Sequence, residues 1–232
     1  MNVDRLNESV NARSYDSPTR RAQAEKTRRQ IADAARTLFV ERGWSGTRVR
    51  DVAIEAGVSE PTVYAVYGNK AGLATALLDS LTAAVDFPRH MAELKVAEGD
   101  PPRQIAALVA IDRQLFEHGA DAITVIREAG RSNPDLAPVY AAGRKQGDEA
   151  RRRVYGAWPA QVWRDGVGLE DALDTAAALL TVDVYLELTQ ERGWSPDRVE
   201  VWWADTLVRL LLRDIRSVAD ETSGGRSTTT PF

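Results

Sequence analysis

Residues 47–70 read TRVRDVAIEAGVSEPTVYAVYGNK, and this stretch decides the fold. Thr47 is a good N-cap, and Val49, Val52, Ala53 and Ala56 fall on one face of a short helix that stops at Gly57. Gly57 and Val58 make a tight turn. Ser59 then caps a second short helix, with Glu60 and Pro61 in its first turn and Tyr67-Gly68 at its end. Two short helices joined by about three residues describe either a helix-turn-helix or an ordinary helical hairpin of a bundle. Three features favour the former. The second helix presents Glu60, Thr62 and Tyr64, polar groups suited to a DNA groove. Arg48, Arg50 and Lys70 flank it. A longer helix precedes it and can brace it.

That longer helix is predicted from Arg21 to Arg42, where Ile31, Ala34, Ala35, Leu38 and Phe39 recur at three- and four-residue steps. Gly43 reads as its left-handed cap, with Trp44 folding back on the last turn. Asn69 caps a further helix, from Lys70 to about Val85, which Phe87-Pro88 breaks. Beyond it, Asp100-Pro101-Pro102 starts a helix running to about His118-Gly119, and a short one spans Ala122 to Gly130. Asn133-Pro134-Asp135 caps another, reaching about Trp158. After a connector bracketed by Trp158-Pro159 and Gly166-Val167-Gly168, two last helices are expected, from about Glu170 to Arg192 and from Ser195-Pro196 to about Val218. ERGWS occurs at residue 41 and again at residue 191, each time as a helix end leading into the next helix. No segment alternates apolar and polar residues over a strand's length. The fold class is all-α. Residues 1–20 read as a disordered arm and 219–232 as a flexible tail.

Composition narrows the function. The 232 residues contain no cysteine, which excludes disulfides, thiolate metal sites and a cysteine nucleophile. His90 and His118 are the only imidazoles, too few for a His-rich metal site, and no phosphate loop or nucleophile motif is present. The longest apolar run, Ile105 to Ile111, falls far short of the ~18 residues of a membrane helix. A soluble, cytoplasmic protein without a cofactor is expected. Residues 1–70 carry 12 Lys and Arg against 9 Asp and Glu, a net +3, while the rest of the chain carries −7. A basic head on an acidic body suits a polyanionic partner.

The stretch from Ile31 to Leu73 resembles the DNA-binding domain of the TetR/AcrR family of bacterial transcriptional regulators. It keeps an AxxLFxxxG first helix, a Thr opening helix two, the Ala-x-x-Ala-Gly-Val-Ser turn, Thr-Val-Tyr, and the aromatic-Gly-x-Lys-x-x-Leu exit. Tyr67 stands where the family often has Phe, and Ala65-Val66 where larger polar residues are common. The resemblance implies a helix-turn-helix domain over 21–68 and a helical ligand-binding and dimerisation domain over 69–218. It implies phosphate contacts from Thr47, Tyr64 and Lys70, helped by Arg48 and Arg50. Base readout would rest on Glu60, Thr62, Tyr64 and Pro61, with Ser59 opening the reading helix. Arg20, Arg21, Lys26, Arg28 and Arg29 are either a second DNA contact or solvated charge.

The same resemblance implies a homodimer through the last two helices and a small-molecule effector held between Phe87 and Tyr185. The last helices carry two apolar stripes each, which means either a second partner or a central core position. Leu180, Val184, Trp203, Leu207 and Leu210 are the expected interface. Phe116, Tyr140, Tyr155, Trp158, Trp163 and Tyr185 are the expected pocket lining, though such aromatics are more often simply core. The leading function is a repressor released from palindromic double-stranded operator DNA by a largely apolar effector. The alternatives are an activator of the same fold and an enzyme using His90 or His118.

Overall fold

The computed structural model describes residues 18–131 and 133–213. Among them are ten α-helices: α1 (Pro18–Gly46), α2 (Val49–Glu55), α3 (Glu60–Tyr67), α4 (Lys70–Ala84), α5 (Phe87–Val96), α6 (Pro101–Gly130), α7 (Ala137–Tyr155), α8 (Leu169–Leu179), α9 (Val182–Leu186) and α10 (Pro196–Leu211). A 3-10 turn (Ala160–Val162) lies between α7 and α8, and a π turn (Glu187–Glu191) prolongs α9. No named strand occurs among the described residues; one isolated bridge pairs Trp163 with Leu212.

The local signals hold where they are strictly local. Gly43 and Gly193, the glycines of the two ERGWS segments, both take φ 67°. Trp44 stacks on Phe39 with ring centroids 5.3 Å apart, as the fold-back predicts. In the second copy the tryptophan packs forward instead: Arg198 stacks 3.9 Å over the Trp194 ring, and Ser195 Oγ accepts from the Arg198 N–H to open α10. Asn69 Oδ1 accepts from the Gly72 N–H, 2.8 Å away, at the start of α4.

Five expectations are corrected. α6 is one unbroken helix of thirty residues and does not stop at Gly119. There the missing side chain lets α4 approach, since a Cβ on Gly119 would lie 2.4 Å from Leu81 Cδ1. α5 was not foreseen; Asp86 caps it by accepting from the Arg89 N–H, and Pro88 sits in its first turn, where a missing N–H costs nothing. α7 ends at Tyr155. The helix expected over 170–192 breaks at Leu180 (φ −86°, ψ 68°), and Thr181 caps α9. Arg144 of α7 donates to the Ala177 and Leu180 carbonyls, filling acceptors that the break leaves free. α10 ends at Leu211, and the chain then pairs with the connector: Arg164 N–H donates to Leu211 O, and Arg213 N–H to Val162 O. The stretch from 214 to Val218, the flexible tail, and residues 1–17 of the arm lie outside the described residues.

Two apolar cores result. The head core joins Ile31, Leu38 and Phe39 of α1 to Val52 of α2, Val63 of α3 and Leu73 and Leu77 of α4; Ile126, Ala129 and Leu136 complete it. The body core joins Leu108, Phe116 and Ile123 of α6 to Tyr155, Leu173, Tyr185 and the α10 stripe Val199, Trp203, Leu207 and Leu211. α6 therefore runs through both. Arg36 of α1 adds a polar strut between them: Nε and Nη2 meet the two Asp121 carboxylate oxygens at 3.1 and 2.8 Å, and Nη2 also donates to the His118 carbonyl at 2.6 Å.

Candidate nucleic-acid interface

The turn between α2 and α3 needs a residue at positive φ, and Gly57 supplies it at 66°. Val58 N–H donates back to Ala53 O at 3.0 Å, closing the turn. Ser59 Oγ accepts from the Thr62 N–H at 3.3 Å and shares a 2.7 Å hydrogen bond with the Thr62 hydroxyl. Val63, 1% exposed, pins α3 to the head core, so its register is fixed. The opposite face presents Pro61, Tyr64 and Ala65 to solvent, with Glu60 and Thr62 half-buried beside them. Arg48 and Arg50 are exposed at the start of α2. Arg48 is the N-cap of α2, its N–H donating to Asp51 Oδ2, so the helix begins one residue later than predicted.

Two expected phosphate ligands are otherwise engaged. Thr47 is 1% exposed, and its hydroxyl is spent on the Leu38 and Gly43 carbonyls, 2.9 and 3.0 Å away. That side chain ties α2 to the end of α1 and does not face a ligand. Lys70 donates to the Trp44 carbonyl and lies 4.2 Å from the Trp44 ring centroid. Burial pushes its pKa below the usual lysine value. It is first a clamp between α4 and α1, with two N–H donors left for a phosphate. Arg20, Arg21, Lys26, Arg28 and Arg29 stand exposed along the first turns of α1, spread around a helix and not on a loose arm. Arg28 stacks 5.0 Å over Tyr67, whose hydroxyl donates to the Arg28 carbonyl.

In the body the expected pocket lining is mostly core. Phe116, Tyr185 and Trp203 form one triad with ring centroids 5.9–6.2 Å apart. Tyr155, Trp158 and Trp163 form a second, at 4.5–6.3 Å. Rings at these separations fill the space they were expected to enclose. Trp158 Nε1 donates to Gln104 Oε1, and Tyr140 is half-buried between the two cores. Two grooves of about 580 and 530 Å³ open elsewhere, and none of the six aromatics lines either. Of the expected dimer residues, Leu180, Trp203 and Leu207 are at most 2% exposed within one subunit. They are buried inside the single subunit, Trp203 and Leu207 on the face of α10 that packs on α6. Val184 is half-buried and Leu210 is 43% exposed. The outward stripe of α10 holds Val201, 62% exposed, and half-buried Val208.

Sequence reasoning missed the Arg36–Asp121 strut, because nothing in a polar flank of α1 names its partner 85 residues away. His118 is exposed, and His90 is buried against Glu93. No cluster of three metal-ligating side chains occurs among the described residues.

Residues 31–77 match the family model described as bacterial regulatory proteins, tetR family. The chain is 40% identical over 78 residues to the HTH-type transcriptional regulator TtgR of Pseudomonas putida, which is 34% of this chain and 36% of TtgR. It thus spans about a third of the length of that relative. NalD, the secondary repressor of the MexAB-OprM multidrug efflux pump in Pseudomonas aeruginosa, superposes with a TM-score of 0.62 at 23% identity, over 82% of this chain and 99% of NalD. A SmeT–triclosan complex superposes at 0.64 and 18% identity, over 82% and 93%. At these identities the two structures share the fold of this chain.

Proposed function

We propose, for a chain whose residues 31–77 belong to the tetR family of bacterial regulatory proteins, that the protein is a homodimeric DNA-binding repressor released from a palindromic operator by a small molecule. The observation that carries this is the α2–α3 unit: Val63 seats α3 in the head core while Pro61, Tyr64 and Ala65 stand clear, flanked by Arg48 and Arg50. Such a ridge enters a major groove. Pro61 and Ala65 suit thymine methyls, and Glu60 suits a cytosine amino group. Arg48, Arg50, the Tyr64 hydroxyl and the free N–H groups of Lys70 suit phosphates.

In this reading residues 21–68 are the reading head and 69–218 the regulatory body. The outward α10 stripe of Val201 and Val208 supports a second copy, which would set the spacing of two heads at one helical turn of DNA, ~34–36 Å. α6, seated in both cores, and the Arg36–Asp121 strut supply a path from an occupied body to the head. The triclosan held by SmeT supports a small, largely apolar effector. A cytoplasmic location fits the DNA target, and no helix among the described residues is long and apolar enough to cross a membrane.

The test is selection of duplexes from a random pool, followed by affinity measured across salt concentrations. A two-fold symmetric site should be enriched, with log affinity falling by ~0.9 per log salt for each phosphate neutralised. Tyr64→Ala with Arg50→Ala should abolish the enrichment. Failure of the intact protein to enrich any sequence would overturn the reading. A reporter driven from the selected site then separates repression from activation.

A further inference from the structure

The groove of about 580 Å³ lies between α5 and the first half of α6, with Glu200 of α10 also lining it and none of the triad aromatics in its wall. Its floor is made of small side chains, Ala106, Ala107 and Ala110 of α6 facing Ala92 of α5, which is why depth remains between two packed helices. His90 lines it and is 2% exposed. Its Nδ1 lies 3.2 Å from Glu93 Oε2. A carboxylate only accepts, so Nδ1 carries the hydrogen and, in the neutral ring, Nε2 keeps its lone pair. That Nε2 is buried and has no hydrogen-bond partner. A buried acceptor left unpaired is costly, and the partner it lacks is a donor.

The charges of the groove are otherwise settled. Arg89 is paired with Glu93, and Arg113 with both Glu117 and Glu200. Arg103 is exposed at the rim, and no ion pair reaches its guanidinium among the described residues. One guanidinium is thus left to be met.

We propose that this groove binds a small, mostly apolar organic acid that carries a hydroxyl or phenol group. The apolar part lies on the alanine floor, the hydroxyl donates to His90 Nε2, and the carboxylate meets Arg103. A cation is disfavoured, because Glu93 and Glu200 are already bonded to arginines. The site does not depend on the DNA-binding reading. If it also controls DNA, it does so through α6, whose far end lies in the head core.

Calorimetric titration of the full chain, without DNA, tests it with three probes: 6-hydroxy-2-naphthoate, 2-naphthoate and 2-naphthol. The hydroxynaphthoate should bind one to one. Losing the hydroxyl should weaken binding about five-fold, one hydrogen bond's worth, and losing the carboxylate about ten-fold. Arg103→Ala should remove the preference for the acid over 2-naphthol, and His90→Phe the preference for the hydroxyl. Ala106→Trp, at an exposed position on the floor, should weaken all three by ten-fold or more. No saturable binding of any probe, or binding that Ala106→Trp leaves unchanged, overturns the proposal. Arg103 and Ala106 are both exposed, so these two variants decide even if the buried His90 tolerates no change. A second titration against the selected duplex keeps the two readings apart. Binding without release of DNA retains the groove and removes it from regulation.

Discussion

Replacing Gly119 by Ala isolates the contact on which α6 rests against α4. A Cβ there would lie 2.4, 2.7 and 2.9 Å from Cδ1, Cδ2 and Cγ of Leu81. Carbon atoms pack at ~3.5–4.0 Å, so the leucine must retreat by about 1 Å. Rotating its terminal methyls does not help, because both methyls and the branch carbon are too close at once. Leu81 is 2% exposed and has little room to move. Overpacking of this kind costs ~1–3 kcal/mol. Removing a glycine from a helix interior returns ~1 kcal/mol. The net is a loss of about 1 kcal/mol, or a fall in Tm of ~2–4 °C for a chain this size. Chemical denaturation of the wild type, Gly119→Ala, Leu81→Ala and the double variant measures it. Leu81→Ala alone should cost ~2–5 kcal/mol for its cavity. The new methyl partly fills that cavity, so the double variant should be more stable than the sum of the singles by ~1 kcal/mol or more. A Gly119→Ala protein stabilised by its helix propensity alone, or a cycle additive within ~0.5 kcal/mol, would refute the close approach as the reason for this glycine.

Trp203→Asp should give an unfolded chain and not a folded monomer, whereas Val201→Asp should keep the helical circular dichroism and shift sedimentation from dimer to monomer. Ser59→Ala should cost ~1 kcal/mol through its lost cap and weaken DNA binding as α3 frays, measured by denaturation and gel shift. Burial pushes the Tyr155 phenol up to about 12 against a small opposing pull from Arg151. The unfolded chain loses that proton first, near pH 10, so stability should fall as pH rises from about 10 to about 12, by about 2–3 kcal/mol. Tyr155→Phe should remove that part of the slope in denaturation curves taken across the range.

What the sequence makes legible here is what neighbours along the chain decide. The cap at Ser59, the positive-φ turn at Gly57 and the twice-used ERGWS ending depend on groups a few residues apart, and the structure holds each as read. The errors fall where a distant partner decides. Gly119 looks like a helix end until Leu81 is seen across from it. Pro88 breaks α4 and also begins α5, and only the Asp86 cap distinguishes the two uses. Large aromatics line a cavity or fill one with the same composition; here their mutual stacking fills it. The stripe Val199, Trp203, Leu207 and Leu211 announces burial without naming what buries it, and α6 of the same subunit does. The groove beside His90 was invisible because α5 itself was not foreseen.

The route of α6 through both cores has a consequence for anyone building chimeras of this protein. Cutting after α4 and moving residues 18–84 onto another body would leave Ile126, Ala129 and Leu136 behind, and with them one wall of the head's own interior. The recipient helix would have to present a matching wall at the same height, together with a carboxylate for Arg36. A graft that carries the end of α6 along with the head should stay folded where one cut at the sequence boundary melts, so the exchangeable unit is discontinuous along the chain.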